Sequence, residues 1–166
     1  HFDPPILPKY LNGEFGNVCY GLNSPKFTNT EWTPPPLKEF YKNDKYVYEK
    51  PILTIHNKNT KEWLYHPENY FNSEILERII NTFKNDYQIV YIRPPENPHK
   101  FKLQRDKGQT TVNIRDKEVI KKYPEVIDIE DLLENSDKSY NEIQFMLLAN
   151  SNHHITPAGD AVIPCY

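Results

Sequence analysis

Short β-branched runs alternating with helical stretches predict an α/β fold, a Rossmann-like parallel sheet with helices on both faces. Two observations carry this. Four strand-like runs recur between residues 51 and 156, and helix-patterned segments separate them. Strands joined through helices form βαβ units, which require parallel pairing and right-handed crossovers.

The first run, "PILTIH" (51–56), is apolar and rich in β-branched residues, as a strand buried on both faces requires. A polar loop, "HNKNTKEW", follows it. In "NYFNSEILERIINTFKND", Asn72 is placed to cap a helix and Phe71 to staple against Leu76. Ile75, Leu76, Ile79, Ile80 and Phe83 recur at helical spacing and predict one apolar stripe. "YQIVYIR" (87–93) is the second strand, ended by Pro94 and Pro95. Residues 96–113 form a connection long enough to suggest a functional loop. Helical "RDKEVIKKY" (115–123) leads to a third strand, "EVIDI" (125–129), and "EDLLEN" to a short helix. "SYNEIQFMLLANS" opens with Ser139 and Glu142 at capping-box spacing, and its nearly continuous apolar surface predicts a buried helix. "HHIT" (153–156) is the fourth strand.

Residues 1–49 differ in kind. Prolines cluster there, with Phe2, Tyr10, Phe15, Tyr20, Phe27 and Trp32 between them. This segment reads as an irregular arm or interdomain segment with a short helix near Leu37–Tyr41, and 50–166 as the regular domain.

Composition narrows the function. The chain of 166 residues carries a formal net charge of −3, against the basic surface that general nucleic-acid binding needs. No apolar run approaches the roughly 20 residues of a membrane span, and no signal peptide is visible, so a cytoplasmic protein is expected. The 2 cysteines, Cys19 and Cys165, are too few for a disulfide scaffold and read as unpaired thiols. Walker, G-x-G-x-x-G and G-x-S-x-G patterns are absent, which argues against P-loop ATPases, classical NAD dehydrogenases and α/β-hydrolases.

Ligands of open parallel sheets bind beyond the carboxyl ends of the strands. That rule selects His56, Asn57, Lys58, Glu62 and Trp63 after the first strand, Arg93 after the second, Glu130 and Asp131 after the third, and Thr156 to Asp160 after the fourth. Trp63 and Tyr65 would make a stacking wall or cover a sheet edge. Gly159 would let backbone amides approach a phosphate at a helix start, or would make only a tight turn. Lys58 would supply a point charge and Arg93 a bidentate fork. Glu130 and Asp131 suit the start of a helix better than a catalytic pair. His153 and His154 are adjacent on a strand, so they point to opposite faces, and no further ligands are spaced for a metal.

"KPILTIHNKNTKEW", "NYFNSEILERIINTFKNDYQIVYIRPP" and "EVIDIEDLLENSDKSYNEIQFMLLANSNHHITPAGDAVIPCY" resemble glycosyltransferase-like proteins of large viruses, microbes and algae. These are similar to the nucleotide-sugar-binding half of B-type (double Rossmann, GT-B) glycosyltransferases, fucosyltransferase-like members included. The resemblance spans roughly residues 34–166. In such relatives the turn after the last strand reads Ser-x-x-Gly-Gly; here Asp160 stands in place of one glycine. The resemblance implies transfer of a sugar from a nucleotide-diphosphate donor to a glycan hydroxyl in glycan biosynthesis, without a metal cofactor. Asn57, Lys58, Arg93, Thr156 and Gly159 would bind the donor, and His56, Glu62 and Asp160 are the candidates for the base. It further implies a piece of a glycosyltransferase, either a fragment whose second Rossmann-like domain is missing from this chain or a reduced relative. The alternative is a non-enzymatic interaction module of a viral or surface assembly, with the sheet as scaffold and the arm as docking element.

Overall fold

A computed structural model describes residues 37–61, 70–103 and 110–157. The compact unit that contains them begins at Leu37. Its elements in chain order are α1 (Leu37–Tyr41), β1 (Ile52–His56), β2 (Thr60–Lys61), α2 (Ser73–Phe83), β3 (Gln88–Ile92), β4 (Thr110–Thr111), α3 (Asp116–Ile120), β5 (Ile127–Asp128), α4 (Ile129–Glu134), α5 (Tyr140–Asn150) and β6 (His153–Ile155). No helix among the described residues is long and apolar enough to cross a membrane.

The main sheet has four strands in the order β5-β3-β1-β6, all parallel. This is the α/β, Rossmann-like arrangement expected from the sequence. β1 is central: Ile52 pairs with Gln88 of β3 on one side, and Leu53 with His153 of β6 on the other. Its first four residues are buried, which explains why the run carries no polar alternation. Asn152 fastens the β1–β6 register at its start, because its side-chain oxygen accepts from the Ile52 amide at 2.9 Å and its own amide donates to the Ile52 carbonyl at 2.9 Å.

Two cores sandwich the sheet. On one face Ile52, Val90 and Ile92 pack against Ile129 and Leu133 of α4 and Tyr140, Ile143 and Leu147 of α5. On the other, Leu53, Ile55, Ile89 and Tyr91 pack against Leu76 and Ile80 of α2 and Val119 and Ile120 of α3. The period-2 alternation along β1 and β3 assigns each residue its face.

The local signals act as the sequence implies. Asn72 caps α2 through its side-chain oxygen and the Ile75 amide, at 2.9 Å. Ser139 and Glu142 form the capping box of α5, the Glu142 carboxylate accepting from the Ser139 amide at 2.8 Å. The stripe of α2 is narrower than its sequence suggests. Leu76 and Ile80 are buried, but Ile75 is exposed, since it sits a quarter turn off the line that faces the sheet. Two differences concern boundaries. The stretch 37–49, read as part of the arm, belongs to the compact unit: Tyr41 packs on Phe145, and the Asn150 side chain donates to the carbonyls of Asn43 and Tyr46 at 2.6 and 2.8 Å. Within the long 96–113 connection, β4 pairs antiparallel with β2; two-residue strands leave no periodic signal to read. Residues 1–36 and both cysteines lie outside the described residues.

Candidate functional site

Across the sheet the main strands run third, second, first, fourth in chain order. The helices that follow β1 and β3 pack on one face, and those between β5 and β6 on the other. The strand order therefore reverses between β1 and β6. Beyond the carboxyl ends of these two strands lies the switch point, the place where doubly wound sheets bind their ligands.

His56 ends β1 beside the switch point and is half-buried. Its ring lies 6.2 Å from that of His154, at an interplanar angle of 61°. Both project to the α4/α5 face: His154 is the register partner of Thr54, two residues before His56. The Thr54 hydroxyl lies 2.8 Å from His154 Nδ1 and 3.2 Å from the Ser151 hydroxyl, so the ring is held on its inner side. Two other ring nitrogens differ: His56 Nδ1 and His154 Nε2 are buried without a hydrogen-bond partner among the described residues. Burial lowers the His56 pKa to about 4, with further lowering by His154 and by the Lys58 charge. Burial likewise lowers His154 to about 4. Both imidazoles are thus neutral at neutral pH, with lone pairs or N–H groups unspent. His153, on the opposite face, is exposed and stacks edge-on against Tyr87 at 5.3 Å.

This pair makes stability depend on pH. The folded values of about 4 lie below the ordinary 6.5, so between them the unfolded chain binds protons that the native chain does not. Stability is complete above 6.5 and is lost as pH falls towards 4. A fully enclosed ring would give a slope of about 1.4 kcal/mol per pH unit; solvent reaches both rings and reduces it. Urea unfolding followed across this interval should show the slope, and the double variant His56→Gln/His154→Gln should flatten it. An unchanged slope in that variant would assign the effect to other groups.

Asn57 is fully buried and faces the other way. Its side-chain oxygen accepts from the amides of Phe71 and Lys58 at 2.8 and 3.0 Å, and its Nδ2 donates to the Phe71 carbonyl at 3.0 Å. It is a brace between the loop after β1 and the approach to α2. Lys58 follows, near enough for its charge to act on His56. Thr156, after β6, is half-buried on the other side of the switch point. Glu62, Trp63, Tyr65, Gly159 and Asp160 lie outside the described residues.

Arg93 stands apart from this group. It is 2% exposed and, two residues after Tyr91, turns to the α3 face of the sheet. Its Nε lies 2.7 Å from Asp116 Oδ2, and its Nη2 lies 3.1 Å from Glu96 Oε1 and 3.9 Å from Glu130 Oε1. The Tyr91 hydroxyl donates to the same Asp116 oxygen at 2.6 Å. Burial, and then the Asp116 charge, raise the Tyr91 pKa well above its usual value, so the phenol stays a donor. Lys117 extends the network to Asp128 and, at 3.4 Å, to Glu130. The guanidinium expected to receive a diphosphate thus lies among carboxylates, and Glu130 belongs to the same network.

The sequence did not mark Tyr91, Asp116 or Lys117 as site residues. Tyr91 was the one with a signal, since period 2 on a strand puts it beside Arg93. Comparison of the chain with protein-family models, with curated proteins and with solved structures finds no match.

Proposed function

We propose that this chain is the nucleotide-sugar-binding part of a glycosyltransferase, which holds the donor at the switch point between β1 and β6. The observation that carries the reading is the strand order β5-β3-β1-β6, which puts the switch point of a doubly wound sheet beside Lys58 and the two neutral histidines. In this reading Lys58 pairs with the diphosphate leaving group and offsets the charge that develops on it. Arg93 has no part in donor binding, because its charge is already balanced by Asp116, Glu96 and Glu130.

The acceptor hydroxyl needs a base within hydrogen-bond reach. The unpartnered Nδ1 of His56 supports that role. With its pKa at about 4 the ring is a weak base on its own. A bound diphosphate would bring negative charge beside it and raise that value, so the base would gain strength only with the donor in place.

Calorimetric titration with UDP, GDP and dTDP tests the reading. One of these nucleotides is expected to bind, with an affinity that falls as salt rises and drops about tenfold in Lys58→Ala, the loss of one charge-assisted contact. No heat from any of the three, with the protein shown to be folded by circular dichroism, would end the assignment.

A further inference from the structure

A second feature lies beside α3, away from the histidine pair. A cleft of about 470 Å³ opens between Arg93 and Glu96 after β3, the loop at Asn59, and the segment running from β4 into α3. Asn59 is 1% exposed and forms part of its wall. Its Nδ2 donates to the Pro94 carbonyl at 3.3 Å, which sets the orientation of the amide. Its Oδ1, the other end of that amide, is buried and has no hydrogen-bond partner. A buried acceptor left unpaired is destabilising, and a ligand that donates to it would recover that loss.

The charge around the cleft selects the kind of donor. Two cations, Arg93 and Lys117, face four carboxylates, those of Glu96, Asp116, Asp128 and Glu130. At the rim Arg115 and Glu118 are exposed and of opposite sign. The charges that line the cleft balance, and Asp128 and Glu130, paired with Lys117 just outside it, leave the network of described residues with a negative excess. It disfavours phosphates and carboxylates, and it favours a ligand that carries both positive charge and N–H donors. The Glu96 side chain is 77% exposed, so it can turn from Arg93 towards a ligand while Arg93 keeps its 2.7 Å pair with Asp116.

We propose that this cleft binds a small organic cation bearing a primary ammonium group, with Asn59 Oδ1 accepting one N–H and Glu96 providing the counter-charge. The inference is independent of the donor reading, since none of the groups it uses belongs to the β1–β6 switch point.

Titration of the full-length ¹⁵N-labelled chain, followed at the Asn59 side-chain amide, tests it. The probe is putrescine, compared at equal millimolar concentrations with 1,4-butanediol, its neutral counterpart, and with UDP. Putrescine is expected to shift the Asn59 resonances saturably, while the diol and UDP leave them in place. Glu96→Gln should weaken putrescine about fivefold, the effect of one exposed charge pair. Asn59→Ala should weaken it about tenfold or more, the effect of one hydrogen bond to a charged group. If Asn59→Ala does not fold, Glu96→Gln decides alone, because an exposed carboxylate is not needed for folding. The proposal is overturned by the absence of a saturable shift, by an equal response to the diol, or by unchanged putrescine affinity in Glu96→Gln.

Discussion

Replacing Arg93 by methionine is expected to lower the stability of the domain by about 3–5 kcal/mol, the cost of breaking a buried ion pair from one side. The loss comes less from the missing attraction than from what remains. Asp116 is 3% exposed, and among the described residues its carboxylate would keep the Tyr91 hydroxyl as its hydrogen-bond compensation. It follows that removing both charges should do less harm than removing one. Arg93→Met/Asp116→Asn should recover part of the stability lost in Arg93→Met, because it takes the uncompensated charge away. Urea unfolding of the wild type, both single variants and the double variant makes the test a complete cycle. Additive losses across the four proteins would mean that the 2.7 Å contact carries no coupling and that Arg93 is held by packing alone.

Asn57→Ala is the second large effect, with an expected loss of about 3 kcal/mol. The side chain satisfies both the amide and the carbonyl of Phe71, and the alanine would leave each without its partner. Each unpaired buried group costs about 1–3 kcal/mol. Asn57→Asp separates the two contributions: it keeps the acceptor for the Phe71 and Lys58 amides but removes the donor to the Phe71 carbonyl and buries a charge. It should therefore be no more stable than the alanine variant. Thermal unfolding of both variants measures this. In the donor-site reading the consequence extends to binding, because the same brace sets the position of Lys58. A nucleotide affinity that falls with Asn57→Ala while Asn57 touches no ligand would mark it as a positioning residue. A stability change below about 1 kcal/mol, the net value of a single ordinary hydrogen bond, would show that the loop holds its course without the brace.

The layered fold was legible because its signals are local. The buried run at 51–56, the Asn72 cap and the Ser139–Glu142 box each depend on a few neighbouring residues, and each appears where the sequence puts it. The site was less legible because its decisive facts are tertiary. Arg93 ends a strand and so reads as a ligand for an anion. Its actual partners include Asp116, 23 positions on by the numbering of the pair, in a stretch whose pattern announces only a helix start. Likewise His56 and His154 become neighbours only once β6 is known to lie beside β1 and not at the far edge beyond β5. Helical periodicity cannot report strand order, because every βαβ unit carries the same pattern wherever it sits. The β2–β4 pair escaped for a different reason, being shorter than the shortest repeat a sequence can display.

The placement of β1 has a kinetic corollary. β1 is made well before its β6 partner, and one of its two hydrogen-bonding edges waits for chain about 100 residues downstream, as the Ile52–Asn152 contact measures. Until residues 153–155 leave the ribosome, that edge is a sticky, unpaired ribbon of apolar chain. Nascent chains stalled before this point should seek help from chaperones, and a late closing step that seals the ribbon should limit how fast the domain matures.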